Sequence, residues 1–317
     1  MRQPLFKVFS PSSIFGSAYN VNRAYAHNIP KEITMPSFTN RATLSYSGGV
    51  TESNTVTGNI TETLSATKLT LSDSYAGATR LTYVINLVNS GSASFTGLTL
   101  TDDLGGYEIN GATVYPLNYV DGSLLYLING AEQPAPTVTA GPLLTVSGVS
   151  VPAGGNATII YQADTTAFAP LDVESSITNT VTVTGAGLTE PVTASATVNS
   201  IDEPQLTITK ALDPTVVPEN GTITYTFVIS NSGNTEAVAT DDVVVTDLFD
   251  PILNITSVTL NGTPLSLGTG YTYNASTGLF QTVSGVITVP AATYTQSPDG
   301  SISVNEGTAV LTVTGTI

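Results

Sequence analysis

Residues 206–233 read LTITKALDPTVVPENGTITYTFVISNSG, and they repeat a pattern that the chain has already used. Ser65–Ala66–Thr67–Lys68, followed by LTYVINLVNSG (81–91), carries the same order of lysine strand, long alternating strand and Asn-Ser-Gly turn. After each copy comes a matching acidic segment: GLTLTDDLG (97–105) and DVVVTDLFD (242–250). Further on, SGVSVPAGGNATIIYQADTT (147–166) matches SGVITVPAA (284–292) together with GTAVLTVTGTI (307–317), the second copy carrying the insertion TYTQSPDGSISVNE. Apolar and polar residues alternate with period two, as in half-buried strands: Val243, Val245 and Asp247 share one face, and Thr222, Thr224 and Thr226 share another. Asn-Gly pairs at 129–130, 220–221 and 261–262 punctuate the strands as turns. Short alternating strands with regular turns predict antiparallel β-sandwiches.

A third match predicts the assembly. Residues 38–60, FTNRATLSYSGGVTESNTVTGNI, resemble residues 177–201, ITNTVTVTGAGLTEPVTASATVNSI. Both are strand, turn, strand, and both lead into a lysine strand. Residues 38–60 therefore read as the last hairpin of a repeat whose beginning is absent, while the repeat starting at 204 lacks that hairpin. The expected organisation is an N-terminal leader (1–34), a donor β-hairpin (35–63), a complete Ig-like domain (64–203) and an incomplete acceptor domain (204–317). An open sandwich leaves unpaired strand edges. Head-to-tail completion by hairpin 38–60 of another copy is β-augmentation, and a heterologous contact of that kind grows into a filament. The alternative is that the hairpin folds back on its own chain, against which the short linker Asn199–Pro204 weighs.

Composition narrows the chemistry. Among 317 residues there is no Cys and no Trp, the one His is His27, and 52 are Thr. Disulfides, thiolate metal sites and Cys nucleophiles are excluded, and a single His disfavours a His-based zinc site or a Ser-His-Asp triad. The abundance of Thr and Val favours strands over long helices. A net charge of −16 repels phosphate and opposes nucleic-acid binding. Residues 1–41 carry five basic residues against one acid, and the remainder three against 23, so the leader is expected to dock on an acidic body or to stay a solvated tail. Lys7, Ser10, Pro11, Ser12 and Ser13 interrupt every apolar run near the N-terminus, and no stretch reaches the length of a membrane span. No export signal, charged sorting tail or membrane anchor is expected.

Alternation places a polar triplet in each apolar interior. Leu206, Ile208 and Lys210 share a face, as do Leu98, Leu100 and Asp102, and Ile177, Asn179, Val181 and Val183. In the donor hairpin Phe38, Asn40, Ala42, Leu44 and Tyr46 share a face, and Val56 comes from its second strand. An apolar site drives Lys towards the neutral amine and Asp towards the protonated acid. A neutral amine is a nucleophile, and a protonated carboxyl can polarise a carboxamide and move protons. Two sets are expected to form Lys–Asn isopeptide bonds with loss of ammonia: Lys68, Asp102 and Asn179 within a subunit, and Lys210 and Asp247 with Asn40 of a neighbour. The bland alternative is a Lys–Asp ion pair with the Asn hydrogen-bonded beside it. The acid pairs Asp102–Asp103 and Asp241–Asp242 could hold Ca²⁺, but loop acids without an EF-type pattern are more often solvated, so no metal and no cofactor are expected.

The stretch LTITKALDPTVVPENGTITYTFVISNSGN…VVVTDLFDPIL, with its lysine strand, NSG and VTD features, resembles the bacterial conserved-repeat domain, the domain of unknown function eleven. The resemblance covers nearly all of 36–317. It implies Ig-like sandwiches of surface proteins and of endospore appendages, and the Lys/Asp/Asn arrangement is similar to isopeptide-forming pilin and adhesin domains. With no export signal or sorting tail, it further implies assembly in a mother cell and release at lysis. The leader aromatics Phe6, Phe9, Phe15, Tyr19 and Tyr25 are expected to add docking along a neighbour or to make lateral or basal contacts.

The functional expectation is a non-enzymatic structural subunit of a self-assembling extracellular filament on a cell or spore surface, whose partners are copies of itself. The alternative is a monomeric surface adhesin or carbohydrate-binding module, for which Tyr107, Tyr115, Tyr119 and Tyr126 could line a sugar site. Tyrosines on half-buried strands more often pack. An enzyme acting on an external substrate finds no support beyond generic Asp and Thr residues.

Overall fold

The computed structural model describes residues 37–59 and 63–317. The expected leader (1–34) lies outside the described residues. The chain divides into two compact units at Thr61/Glu62. The architecture is all-β: tandem Ig-like antiparallel sandwiches plus a separate hairpin, with one turn of 3-10 helix at Ala239–Asp241.

The first sandwich has two six-stranded sheets. One runs in the order Ala131–Gln133, Leu125–Ile128, Asn156–Thr165, Arg80–Asn89, Leu64–Thr70, with Leu117–Tyr119 also pairing the 156–165 strand. The other runs Thr137–Ala140, Leu144–Val151, Phe95–Asp102, Ser176–Thr184, Val192–Ser200, Ser74–Tyr75. Period-two alternation sends Leu81, Tyr83, Ile85 and Leu87 inward from one sheet, and Leu98, Leu100, Val181 and Val183 inward from the other. These side chains interlock as one buried core.

The second sandwich has its own core, built on Ile223, Phe227, Ile229, Leu311 and Val313. Its main sheet runs Leu206–Asp213, Thr222–Asn231, Gly307–Thr316, Asn254–Leu260, Thr263–Pro264. The facing layer is thinner, the three strands Thr246–Leu248, Leu279–Thr282 and Tyr271–Asn274, while the hairpin of Thr293–Gln296 with Ile302–Asn305 reaches the first sandwich, where Asn110 Nδ2 donates to the Pro298 carbonyl at 3.0 Å. The two sandwiches meet through short polar contacts. Asn234 Nδ2 donates to Asp202 Oδ1 at 2.8 Å, and the Ile302 amide donates to the Ala167 carbonyl at 2.7 Å.

The Asn-Ser-Gly motif marks the same loop closure in both sandwiches. Asn89 and Asn231 are buried; each accepts the amide of the Gly two residues on through Oδ1, and Nδ2 donates to three carbonyls from Asn89 and to two from Asn231. Gly233 is required there, because a Cβ would lie 2.2 Å from the Glu203 carbonyl oxygen of the linker.

All three Asn-Gly pairs lie at turns: Asn129–Gly130 and Asn261–Gly262 have two residues at positive φ, the geometry of a two-residue hairpin turn, and at 220–221 only Asn220 does, with the Gly221 amide donating to the Pro218 carbonyl. One sequence expectation needs correction. The DVVVTDLFD segment is a strand only at Thr246–Leu248. Its counterpart Phe95–Asp102 is paired on both sides, by Leu144–Val151 and Ser176–Thr184. Around Val243–Val245 no ladder forms, and the 284–292 segment makes a single bridge, Ala237 to Val289. Without flanking strands the segment stays extended but unpaired.

The separate hairpin has a bulge. Phe38 faces Gly58 and Asn40 faces Val56, whereas Thr43 faces Glu52 and Tyr46 faces Gly49. Ser53 donates its amide to the Ala42 carbonyl, and its hydroxyl accepts the Ala42 amide. From Asn40 to Ala42 the first strand advances two residues while the second advances three, so the extra residue sits in the second strand. Alternation of Phe38, Asn40, Ala42, Leu44 and Tyr46 is thereby preserved. The Phe38 ring lies across Gly58 and the Tyr46 ring across Gly48, where a Cβ would collide, and Arg41 pairs with Glu52.

A lysine, an acid and an asparagine in two sandwiches

In the first sandwich the lysine strand Leu64–Thr70 and the acid strand Phe95–Asp102 lie in opposite sheets, and the hairpin 176–200 closes the edge between them. Its first strand pairs with the acid strand, Val181 opposite Asp102 and Val183 opposite Leu100. Its second strand packs alongside the lysine strand. Asn179 is then the diagonal neighbour of Asp102 on the same inward face. Asp103 pins this register by accepting the amides of Gly105 and Thr180 at 2.9 and 2.8 Å.

The result is a closed polar cluster. Lys68 Nζ donates to Asp102 Oδ2 at 2.6 Å, and Tyr161 donates its hydroxyl to the same oxygen at 2.7 Å. Asn179 Nδ2 donates to the Tyr161 hydroxyl oxygen at 2.9 Å. The Leu104 amide donates to Asp102 Oδ1 at 3.2 Å. Tyr83 stacks on Tyr161 with ring centroids 5.5 Å apart, and the Lys68 ammonium lies 5.1 Å from the Tyr83 ring. Asn179 Oδ1 and the Tyr83 hydroxyl are buried without a hydrogen-bond partner.

Burial lowers the proton affinity of Lys68, opposed by the Asp102 charge beside it. Burial raises that of Asp102, opposed by Lys68, by the Tyr161 hydroxyl and by the Leu104 amide. Both shifts favour a neutral amine beside a protonated acid over two buried charges. This is the protonation state in which an amine can attack a carboxamide.

The second sandwich holds the same lysine and acid in the open. Lys210 pairs with Asp247, and its ammonium lies 4.5 Å from the Tyr225 ring. The register aligns the sites: Lys68 stands opposite Ile85, and Lys210 opposite Phe227. The whole strand Leu206–Asp213 is exposed, inward positions included; Ile208 is 54% accessible. An open groove of about 180 Å³ runs between Leu206, Ile208 and Ile229 on one side and Val243–Val245 on the other. No described strand of the 63–317 unit occupies this edge in the way that 176–200 occupies the first sandwich.

Asn40 lies in the hairpin unit, opposite Val56. Phe38, Leu44, Tyr46, Val50 and Val56 are each more than half exposed there. Lys68, Asp102 and Asn179 are thus brought into one cluster, and Lys210 and Asp247 into another.

The remaining site expectations resolve individually. Asp241 accepts the Val238 amide and Asp242 accepts the Ser284 hydroxyl. Among the described residues no cluster of three or more His or acidic side chains could hold a metal ion. Tyr119 and Tyr126 are buried, Tyr126 donates to the Ser150 carbonyl, and Tyr107 donates to the Phe168 carbonyl. Tyr115 packs against the core. Tyr119 and Tyr126 thus serve the interior, while Tyr107 and Tyr115 are half-buried. Tyr161 and Tyr83 went unremarked in the sequence, although the former was detectable. Residues 156–165 match 308–317, and the step that is Tyr161 in one copy is Val313 in the other, both opposite a Tyr.

No family model matches the chain, and no curated protein matches it. Among solved structures it is similar to the major pilin subunit of Bacillus cereus, with 11% identity, 86% of this chain and 73% of that one covered, and a TM-score of 0.32. The pilus backbone protein of Streptococcus pneumoniae gives 12%, 80%, 50% and 0.32. A family 123 glycoside hydrolase from Clostridium perfringens gives 12%, 44%, 27% and 0.29. The chain spans about half of the pneumococcal protein and about a quarter of the hydrolase. Values of this size identify no family. Among the described residues no helix is long and apolar enough to cross a membrane.

Proposed function

We propose that this protein is the structural subunit of a filament, in which hairpin 37–59 of one copy completes the 204–317 sandwich of the next. One observation carries the reading: the hairpin 176–200 seals the first lysine site, whereas the equivalent edge of the second sandwich is open along Leu206–Asp213 and Val243–Val245. Hairpin 37–59 resembles that seal in sequence and exposes its own apolar side chains. A two-stranded hairpin is marginal alone in water and gains by being buried. The repeat alignment sets Ala42 opposite Asp247 and Leu44 opposite Val245, which places Asn40 where Asn179 stands in the first site.

In each site the lysine amine attacks the Asn side-chain carbonyl carbon, and the acid beside it serves the proton transfers. The C–N bond to the carboxamide nitrogen breaks, ammonia leaves, and an isopeptide bond remains. The first bond ties the two sheets of one domain, and the second welds neighbouring subunits. No external substrate is turned over. Such a filament stands on the outside of a cell or spore, in keeping with the conserved-repeat resemblance.

The test is assembly of the purified chain, followed by electron microscopy, a boiled denaturing gel and mass spectrometry. Filaments and a heat-resistant ladder, lighter by one ammonia per bond, are expected. Asn40→Ala should keep filaments and abolish the ladder. A monodisperse monomer would reject the reading in favour of a monomeric surface module, and monomer mass after boiling filaments would leave strand pairing alone.

A further inference from the structure

The Tyr161 hydroxyl lies between the acid and the leaving nitrogen of the first site, whereas among the described residues no hydroxyl donates to Asp247 in the second. It accepts a hydrogen bond from Asn179 Nδ2 at 2.9 Å and donates one to Asp102 Oδ2 at 2.7 Å. It is also the one hydroxyl of the cluster with partners on both sides, since Tyr83 has none. In the second sandwich the residue facing Tyr225 is Val313, where Tyr161 faces Tyr83 in the first.

We propose that Tyr161 is a catalytic residue of the Lys68–Asn179 bond, relaying the proton of Asp102 to the departing carboxamide nitrogen, and that the Lys210 site lacks this relay and reacts more slowly. The inference rests on the isopeptide reading given above. A planar carboxamide nitrogen has its lone pair delocalised into the carbonyl, so in the ground state it donates to Tyr161. Attack by the Lys68 amine makes the carbonyl carbon tetrahedral and frees that lone pair, which can then accept. The hydroxyl turns, gives its proton to Nδ2 and takes the proton of the Asp102 carboxyl. The Asp102 carboxylate takes the surplus proton from the new secondary ammonium. Lysine amine and carboxamide become isopeptide and ammonia, and Tyr161 and Asp102 end as they began. Burial holds the Tyr161 hydroxyl well above its usual range, so it remains a neutral O–H that gives and takes a proton together.

The consequence is an order of events. The domain 64–203 cross-links while the chain folds, and the subunit weld follows after docking. This suits a filament whose contacts must find their register before they become irreversible.

The experiment follows cell-free synthesis of the full chain, sampled in time, with peptide mapping of the Lys68–Asn179 cross-link. Tyr161→Phe and Tyr83→Phe each remove one oxygen from the same aromatic stack. Tyr161→Phe should slow the cross-link about tenfold or more, within the range of proton-transfer catalysis, and Tyr83→Phe should leave its rate nearly unchanged. Equal rates for wild type and Tyr161→Phe, or equal slowing by both variants, would overturn the relay. Should Tyr161→Phe fail to fold, Val313→Tyr is the second arm: it should speed the Lys210–Asn40 weld in assembled filaments, and an unchanged rate there counts against the relay. If wild type never forms the Lys68–Asn179 cross-link, the isopeptide reading itself fails, an outcome distinct from a cross-link that ignores Tyr161.

Discussion

Lys68 and Lys210 occupy the same step of two repeated strands, yet the side chain of the first is 0% exposed and that of the second 41%. Each pairs with an aspartate of its own sandwich and lies over a tyrosine. The difference is the cover. Strands Ser176–Thr184 and Val192–Ser200 close the edge above Lys68, and the edge above Lys210 is open. An exposed apolar strand beside an unpaired extended segment is a site for strand addition.

The docking register can be tested at Leu44. This side chain is 62% exposed on the hairpin, and in the proposed register it takes the place of Val183, which is fully buried. Leu44→Asp would put an unpaired charge into an apolar groove, at a cost of several kcal/mol. Filament growth, followed by sedimentation, should be lost, while the melting temperature of the 63–317 body stays within a degree or so of wild type. Assembly at the wild-type rate would show that the Leu44 face is not buried on docking.

A second expectation concerns pH, in an Asn179→Ala variant that keeps the first site unlinked. Asp102 has a raised proton affinity in the fold, so its contribution to stability is full below its unfolded value and is lost as pH rises through the folded one. Lys68 is lowered, so its contribution is present above its unfolded value and is lost as pH falls through the folded one. The urea midpoint of this variant should therefore pass through a minimum between the ordinary Asp and Lys ranges. Replacing Lys68 by Met and Asp102 by Leu in the same background should flatten the profile. A midpoint that peaks in that interval would contradict the assigned directions.

Asn231 gives a third prediction, about the linker. Its Oδ1 accepts the amides of Gln205 and Gly233, each at 2.9 Å, and its Nδ2 donates to the carbonyls of Thr235 and Pro290. Asn231→Ala leaves several buried groups unsatisfied and should cost about 2–3 kcal/mol in urea unfolding. Because Gln205 belongs to the segment entering the second sandwich, amide exchange should also rise at residues 203–206. A loss of stability below about 0.5 kcal/mol would mean that water replaces the side chain.

Much of the fold was legible because strand alternation is local. The inward sets Leu81–Leu87, Leu98–Asp102 and Ile177–Val183 follow from period two alone, and the repeat showed which strands correspond. Lys68, Asp102 and Asn179 were readable as a group for the same reason: each sits at an inward position of its strand. What alternation could not supply was adjacency. Tyr161 was one inward residue among several until the pairing of Tyr161 with Tyr83 and of Val181 with Asp102 set it between the acid and the amide. The DVVVTDLFD segment failed in the opposite sense. Its pattern is that of a strand, but a ladder requires partners, and those of Phe95–Asp102 have no paired equivalents around Val243–Val245.

By itself, then, the sequence determined the class of fold, the repeat and the inward polar residues, since side-chain direction in a strand depends only on its neighbours along the chain. The tertiary structure alone decided which inward residues touch, that Lys68 is sealed while Lys210 is open, and that a tyrosine bridges Asp102 and Asn179. Hydrogen bonds and burial depend on strands up to about a hundred residues apart, such as Lys68, Asp102, Tyr161 and Asn179, meeting across two sheets.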